Sequence, residues 1–173
     1  METTFYGEPE SYNMEKVNSL SGVPGMLRPF KEFVVSQNPA PNDQIVFYGC
    51  PGTCTPFIEL LGYAIRDIQA EIVFVPFLNE EKAVTLENRE NIGLQASGTP
   101  EKINPSLVVI MGGLAMPNVP VSAENAKAVA GRHKCTTAGI CFMNMFMKGG
   151  WTDVIDFDLI IDAEINPVDV WKK

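Results

Sequence analysis

The chain has 173 residues, 46% of them hydrophobic and 20% charged, which suits one globular domain with a sizeable core and excludes a disordered or disulfide-stapled chain. Thirteen Lys and Arg against 21 Asp and Glu leave a net charge of −8, which argues against nucleic-acid or anionic-membrane partners. A single histidine, His133, excludes HExxH zinc sites and two-His facial triads.

Residues 1–20 are polar and read as an N-terminal arm, leaving 21–173 as a single α/β domain. The first residues, Met1-Glu2-Thr3-Thr4, carry no basic and apolar leader pattern. The apolar runs Ile72 to Leu78 and Ser106 to Met111 are far shorter than the ~20 residues of a membrane span. The expectation is therefore a cytoplasmic chain with reduced thiols and no membrane partner.

Met26, Leu27, Phe30, Phe33 and Val34 recur at three and four residues and predict a helix over 26–36 that packs through Leu27, Phe30 and Val34. Pro39-Ala40-Pro41-Asn42-Asp43 ends it, and Ile45 to Tyr48 is a short strand apolar on both faces. Phe57, Leu60, Leu61, Ala64, Ile65 and Ile68 mark a second amphipathic helix over 56–68, and Ile72 to Phe77 a second strand. Strand, helix and strand form a right-handed βαβ unit. Residues 79–104 read as a hairpin excursion around Glu87-Asn88-Arg89-Glu90.

Leu107 to Met111 is a third strand closed by Gly112-Gly113, and a helix follows over 122–132 with Ser122 as its N-cap. Thr137 to Phe142 reads as a strand, Asn144 to Lys148 as a helical turn, Leu159 to Ile161 as a fifth strand, and Pro167 to Trp171 as a last turn. The sum is an α/β three-layer sandwich around a mostly parallel five-stranded sheet.

In such sheets ligands lie beyond the carboxyl ends of the strands. The first strand runs there into Gly49-Cys50-Pro51-Gly52-Thr53-Cys54-Thr55-Pro56, with Thr55 placed to cap the next helix and Pro56 suited to its first turn. Unpaired first-turn N–H groups favour an anion or a thiolate, so Cys54 is expected to have a lowered pKa if it reaches solvent, with Cys50 turned into the core. A tight strand-to-helix turn explains the same Gly and Pro residues without chemistry. Neither a Walker P-loop, which needs a Lys missing here, nor a GxGxxG fingerprint is present.

A second constellation joins Gly112 and Gly113 to Gly139-Ile140-Cys141-Phe142-Met143-Asn144. The candidate catalytic residues are Cys54, Cys141 and Cys50. The candidate ligand-binding residues are Gly49, Pro51, Gly52, Thr53, Thr55, Gly112, Gly113, Met143 and Asn144. No metal site is assigned and the cofactor is unknown. A Cys in an apolar strand such as Cys141 is more often a small buried hydrophobe than a nucleophile, and Met143, Met145 and Met147 read as fillers of the core. Cys135 falls at the opposite end of the sheet, Asp162 at the carboxyl end of the last strand, and His133 at a solvated helix terminus.

Three resemblances attach to these residues. The Cys50-x-x-x-Cys54 spacing with a distant His133 resembles the copper site of the thioredoxin-like Sco family, although the Asp between the thiols is replaced by Pro51-Gly52-Thr53. It implies copper handling as an alternative function. Residues 106–146 resemble the strand, Gly-Gly loop and Cys elbow of the DJ-1/PfpI and class I glutamine amidotransferase group, with Phe142 where that pattern has its His base. Finally, Phe47-Tyr48-Gly49, Pro51 to Phe57, Gly112 to Pro117 and Cys141 to Trp151 together resemble an uncharacterised archaeal, mainly methanogen, family over about residues 27–170. That resemblance implies a cytoplasmic archaeal protein with a Rossmann- or flavodoxin-like sandwich.

The functional expectation is a domain that binds a small molecule or an anion at the carboxyl ends of the strands, through a thiol-based site. The alternative is an assembly module without chemistry, a homo-oligomer presenting Leu114-Ala115-Met116-Pro117.

Overall fold

The computed structural model describes residues 12–173. Of the expected arm, residues 1–11 lie outside the described residues, and 12–20 run without helix or strand. The first helix, α1 (Gly22–Ser36), begins four residues before the first apolar position of its stripe and buries Met26, Phe30 and Val34. Strand β1 (Gln44–Gly49) is buried at every position. Helix α2 spans Thr55–Ala64 and β2 spans Glu71–Pro76. The helical periodicity read to Ile68 outlasts α2 because tight turns from Ile65 N–H to Gly62 O and from Ile68 N–H to Ile65 O keep the chain close to helical direction.

Two further strands, β3 (Val84–Arg89) and β4 (Gly93–Gly98), occupy the expected excursion. Then come β5 (Pro105–Met111), a 3₁₀ turn over Gly112–Ala115, α3 (Ala123–Arg132), β6 (Thr136–Phe142), α4 (Met145–Lys148) and β7 (Leu159–Ala163). Ser122 caps α3 as expected, its hydroxyl accepting the Asn125 N–H at 3.1 Å. No helix or strand forms over 164–173, so the expected turn at 167–171 is absent. No helix of the described residues is long and apolar enough to cross a membrane.

The sheet is mixed and seven-stranded, in the order β4-β3-β2-β1-β5-β6-β7. This corrects the five-stranded expectation. The five expected strands do pair in parallel, β2 with β1, β1 with β5, β5 with β6 and β6 with β7. The hairpin adds β3 and β4 in antiparallel fashion at one edge. What recruits it is a distant contact: Leu94 of β4 is buried against Gly62 of α2, where a Cβ would overlap the Leu94 side chain. Local patterning of half-exposed strands carries no trace of such a partner.

Neighbouring residues of β1 point to opposite faces. Phe47 meets Phe30 of α1 with ring centroids 5.9 Å apart, while Tyr48 reaches Glu80 and His133 on the other face. The crossovers from β1 to β2 and from β5 to β6 step away from the centre in opposite directions, which places α2 and α3 on opposite faces. Both faces of the parallel strands are covered, so their uninterrupted apolar runs are required.

Phe30 is fully buried between α1 and β1. Replacing it by Ala removes a core ring and leaves a cavity, and Phe30→Ala is expected to cost about 3–5 kcal/mol in urea unfolding. A loss below about 1 kcal/mol would show that α1 does not close the core.

Candidate functional site

Between β1 and β5 the direction of the crossovers reverses, and the crevice opens beyond their carboxyl ends. An apolar cavity of about 240 Å³ lies there. The β1–α2 turn contributes Thr53 and Cys54 to its wall and α2 contributes Phe57; the end of β5 contributes Met111, Gly112 and Gly113. Met116, Ile140, Phe142, Met145 and Ile165 complete it, with Phe57 and Phe142 forming an aromatic pair at 4.3 Å. A larger groove of about 570 Å³ lies at the other end of β2, but its central carboxylate, Glu71, is already bonded to Gln44 and Thr85. The chemistry-bearing residues gather at the smaller cavity.

Four of the candidate residues, Thr53, Cys54, Gly112 and Gly113, therefore meet in one wall. Gly49 at the end of β1, Cys50, Pro51 and Gly52 in the turn, and Thr55 at the start of α2 do not line it. Gly52 has φ 78°, a left-handed conformation that favours glycine, and lies open to solvent. Thr55 is not the N-cap. The N-cap is Cys54, and the Thr55 hydroxyl instead accepts the Gly52 N–H at 3.1 Å. Cys54 N–H is also used, bonding Cys50 O at 2.9 Å, so the turn spends donors that an anion would need.

The backbone of Gly113 crosses directly over the two thiols. A Cβ there would overlap the Cys54 sulfur and stand 3.7 Å from that of Cys50, which requires glycine at 113, while a Cβ on Gly112 would overlap Cys141. Cys50 and Cys54 are each only 4% exposed. Burial raises the Cys54 thiol above its ordinary range, against the backbone N–H groups of Cys50 and Gly113 and the Cys50 side chain, which pull it down. The lowered pKa expected for Cys54 depended on its reaching solvent, and that condition is not met, so burial prevails over the helix terminus. Cys50, with burial as the main cause and Cys54 beside it, is pushed up to about 11.

Cys141 lies inside β6 and is fully buried, and the left-handed residues Met143 and Asn144 come after it. The sharp turn expected at the Cys is displaced by two residues, so Cys141 does not occupy an elbow. Its sulfur stands 3.7 Å from the hydroxyl of Tyr12. Tyr12 O–H also donates to Asp162, whose other oxygen accepts the Asn144 N–H at 3.1 Å. Burial, more than the neighbouring Asp162, pushes Cys141 up to about 12. Met143 is 39% exposed and stands outside the core it was expected to fill, whereas Met145 lines the cavity.

His133 is no solvated terminus. Its side chain is 12% exposed, and Nε2 lies 3.0 Å from Glu80 Oε1 and 3.3 Å from the Tyr48 hydroxyl. Arg132 forms an ion pair with the same Glu80 oxygen at 3.0 Å. Burial opposes ionisation of Glu80, but His133, Tyr48 and Arg132 together hold its carboxyl below the usual range. This engagement takes the imidazole that a copper site at Cys50 and Cys54 would use, and no group of three or more His, Cys, Asp or Glu among the described residues is arranged to hold a metal. Leu114 of the proposed assembly segment lies in the 3₁₀ turn and is fully buried. Sequence reasoning missed Tyr12 and Glu80, whose only signal was an aromatic in a polar arm and a carboxylate after a strand.

The chain belongs to the family described as an uncharacterized protein conserved in archaea (DUF2124), which it matches over residues 21–166. An uncharacterized protein of Methanothermobacter thermautotrophicus is 35% identical over 156 residues, spanning 88% of this chain and 96% of that protein. The uncharacterized protein MJ1183 of Methanocaldococcus jannaschii is 36% identical over 149 residues, 84% of this chain and 88% of its own length. The crystal structure of a protein of unknown function from Methanothermobacter thermautotrophicus superposes with a TM-score of 0.80 at 31% identity, covering 92% of this chain and 99% of that one.

Burial orders the thiols by reactivity. With iodoacetamide at neutral pH, Cys135, the one partly exposed thiol, is expected to label first and Cys50, Cys54 and Cys141 slowly, as read by time-resolved peptide mass spectrometry. Tyr12→Phe, which cuts the bond to Asp162, should speed Cys141 severalfold and leave Cys135 unchanged; equal rates would show that the arm does not cover this thiol.

Proposed function

We propose that the protein is a cytoplasmic binding domain for a small, uncharged and largely apolar molecule, held in the cavity between the β1–α2 turn, the Gly112-Gly113 backbone and the end of β6. The parallel strands, taken in chain order, run 2-1-3-4-5 across the sheet, the flavodoxin-like order, and the cavity stands at the switch point where such folds bind ligands. The observation that carries the reading is the character of the wall. Phe57, Met111, Met116 and Phe142 dominate it, no Lys or Arg lines it, and the turn N–H groups of Gly52 and Cys54 bond within the chain. This favours an apolar molecule over the anion expected from the turn alone.

About 240 Å³ is below the ~300 Å³ lower bound of sites for drug-sized ligands, and above the ~150 Å³ that suffices for benzene. The ligand is therefore the size of one or two rings. Indole titrated into labelled protein is expected to shift the amides of Gly112, Gly113, Phe57 and Phe142 saturably. Ile165→Trp, which enlarges a half-exposed residue at the mouth, should weaken that binding by about tenfold, or ~1.4 kcal/mol. Shifts scattered over the surface, or none, would refute the reading.

A second reading, assembly between copies, is favoured by the C-terminal segment. Val168, Val170 and Trp171 are 70%, 81% and 90% exposed and follow β7 without packing on the core. Light scattering should then show a dimer that Trp171→Ser with Val170→Ser returns to monomer; a monomer throughout would dismiss it.

A further inference from the structure

We propose that Cys50 and Cys54 are a reversible dithiol–disulfide couple, and that the cavity admits low-molecular-weight, uncharged disulfides which exchange with the pair through Cys54. The proposal deepens the small-molecule reading above and rests on it for access.

Cys50 and Cys54 close one five-residue turn, fastened by Cys54 N–H on Cys50 O at 2.9 Å and shaped by the left-handed Gly52. Both sulfurs lie beneath the same glycine: a Cβ on Gly113 would overlap that of Cys54 and stand 3.7 Å from that of Cys50, so the two thiols share one enclosure. Cys141, by contrast, faces Tyr12 and Asp162, and Cys135 lies at the far end of the sheet, ahead of β6. Neither has a thiol partner.

The pair is also asymmetric. Cys54 lines the cavity and Cys50 does not, so an incoming disulfide meets Cys54 first. Burial raises the Cys54 thiol, while the backbone N–H groups of Cys50 and Gly113 favour negative charge on it. The apolar wall, without a cation, selects uncharged disulfides over those bearing carboxylates.

The exchange balances without a further reactant. Cys54 as thiolate attacks one sulfur of RS–SR, forming a Cys54–SR bond and releasing RS⁻, which takes the proton Cys54 has lost. Cys50, losing its proton, attacks the Cys54 sulfur, forms the Cys50–Cys54 bond and expels the second RS⁻, which takes that proton. The protein is oxidised by two electrons and RS–SR is reduced to two RSH. With excess RSH every step runs backward.

The test uses the full reduced chain with bis(2-hydroxyethyl) disulfide under anaerobic conditions at about pH 8.5, where a free thiol is about half ionised. Wild type is expected to form a Cys50–Cys54 bond, identified by peptide mapping and reversed by dithiothreitol, while the partly exposed Cys135 takes a separate mixed disulfide and Cys141 stays free. Cys50→Ser should stop at a mixed disulfide on Cys54, and Cys54→Ser should leave Cys50 unmodified over the same time. Cys50 and Cys54 both still reduced in native protein, when the same protein in urea oxidises them, would overturn the proposal. So would a mixed disulfide persisting on Cys54 in wild type, or Cys50 reacting as fast in Cys54→Ser. Saturable indole binding with inert thiols discards the couple and keeps the cavity, whereas thiol exchange without indole binding does the reverse.

Discussion

Strand β1 has no solvent face, and that constraint organises the molecule. All six of its residues are buried, held in parallel between β2 and β5. A strand covered on both sides needs a layer of helices on each, and the chain supplies them by leaving β1 and β5 in opposite directions. The crevice between those departures is a product of the same requirement. A site at the carboxyl ends of β1 and β5 is therefore the geometric remainder of burying β1, and its lining is apolar because the surrounding elements are core elements.

The thiols at that crevice show two opposed physical effects and which one prevails. Helix-terminal and turn N–H groups favour a thiolate at Cys54, whereas enclosure by Gly113, Phe57 and Met111 withdraws the solvent that a charge requires. Burial prevails for Cys50, Cys54 and Cys141 alike, so each is a protonated thiol at neutral pH. What separates them is their neighbours. Cys54 faces a cavity and a second thiol, while Cys141 faces the tyrosine of the arm and a carboxylate that also holds Asn144. Similar burial thus leaves one sulfur approachable and the other covered.

The polar cluster of Tyr48, Glu80, His133 and Arg132 joins three parts of the chain on the α3 face. Each buried polar atom there has a partner, in keeping with the absence of unsatisfied buried side-chain N or O atoms among the described residues. It ties the turn before β3 to the end of α3 and so steadies the edge hairpin from one face, while Leu94 and Gly62 hold it from the other.

The sequence by itself determined the five parallel strands, the lead helix and the cap at Ser122. Each depends on local periodicity or on a side chain bonding a few residues away, and both are written in consecutive residues. It also located Cys54, Gly112 and Gly113 at strand ends, since a glycine pair after a buried strand marks a close approach. Only the tertiary structure decided that β3 and β4 extend the sheet, because their half-exposed pattern is completed by α2, some thirty residues earlier in the chain. Only it brought Tyr12 to Asp162, 150 residues away, and turned His133 inward to Glu80. The pKa of Cys54 belongs to the same group: the donors around it are local, but the burial that outweighs them comes from strands and helices distant in sequence, and no local pattern records the loss of solvent.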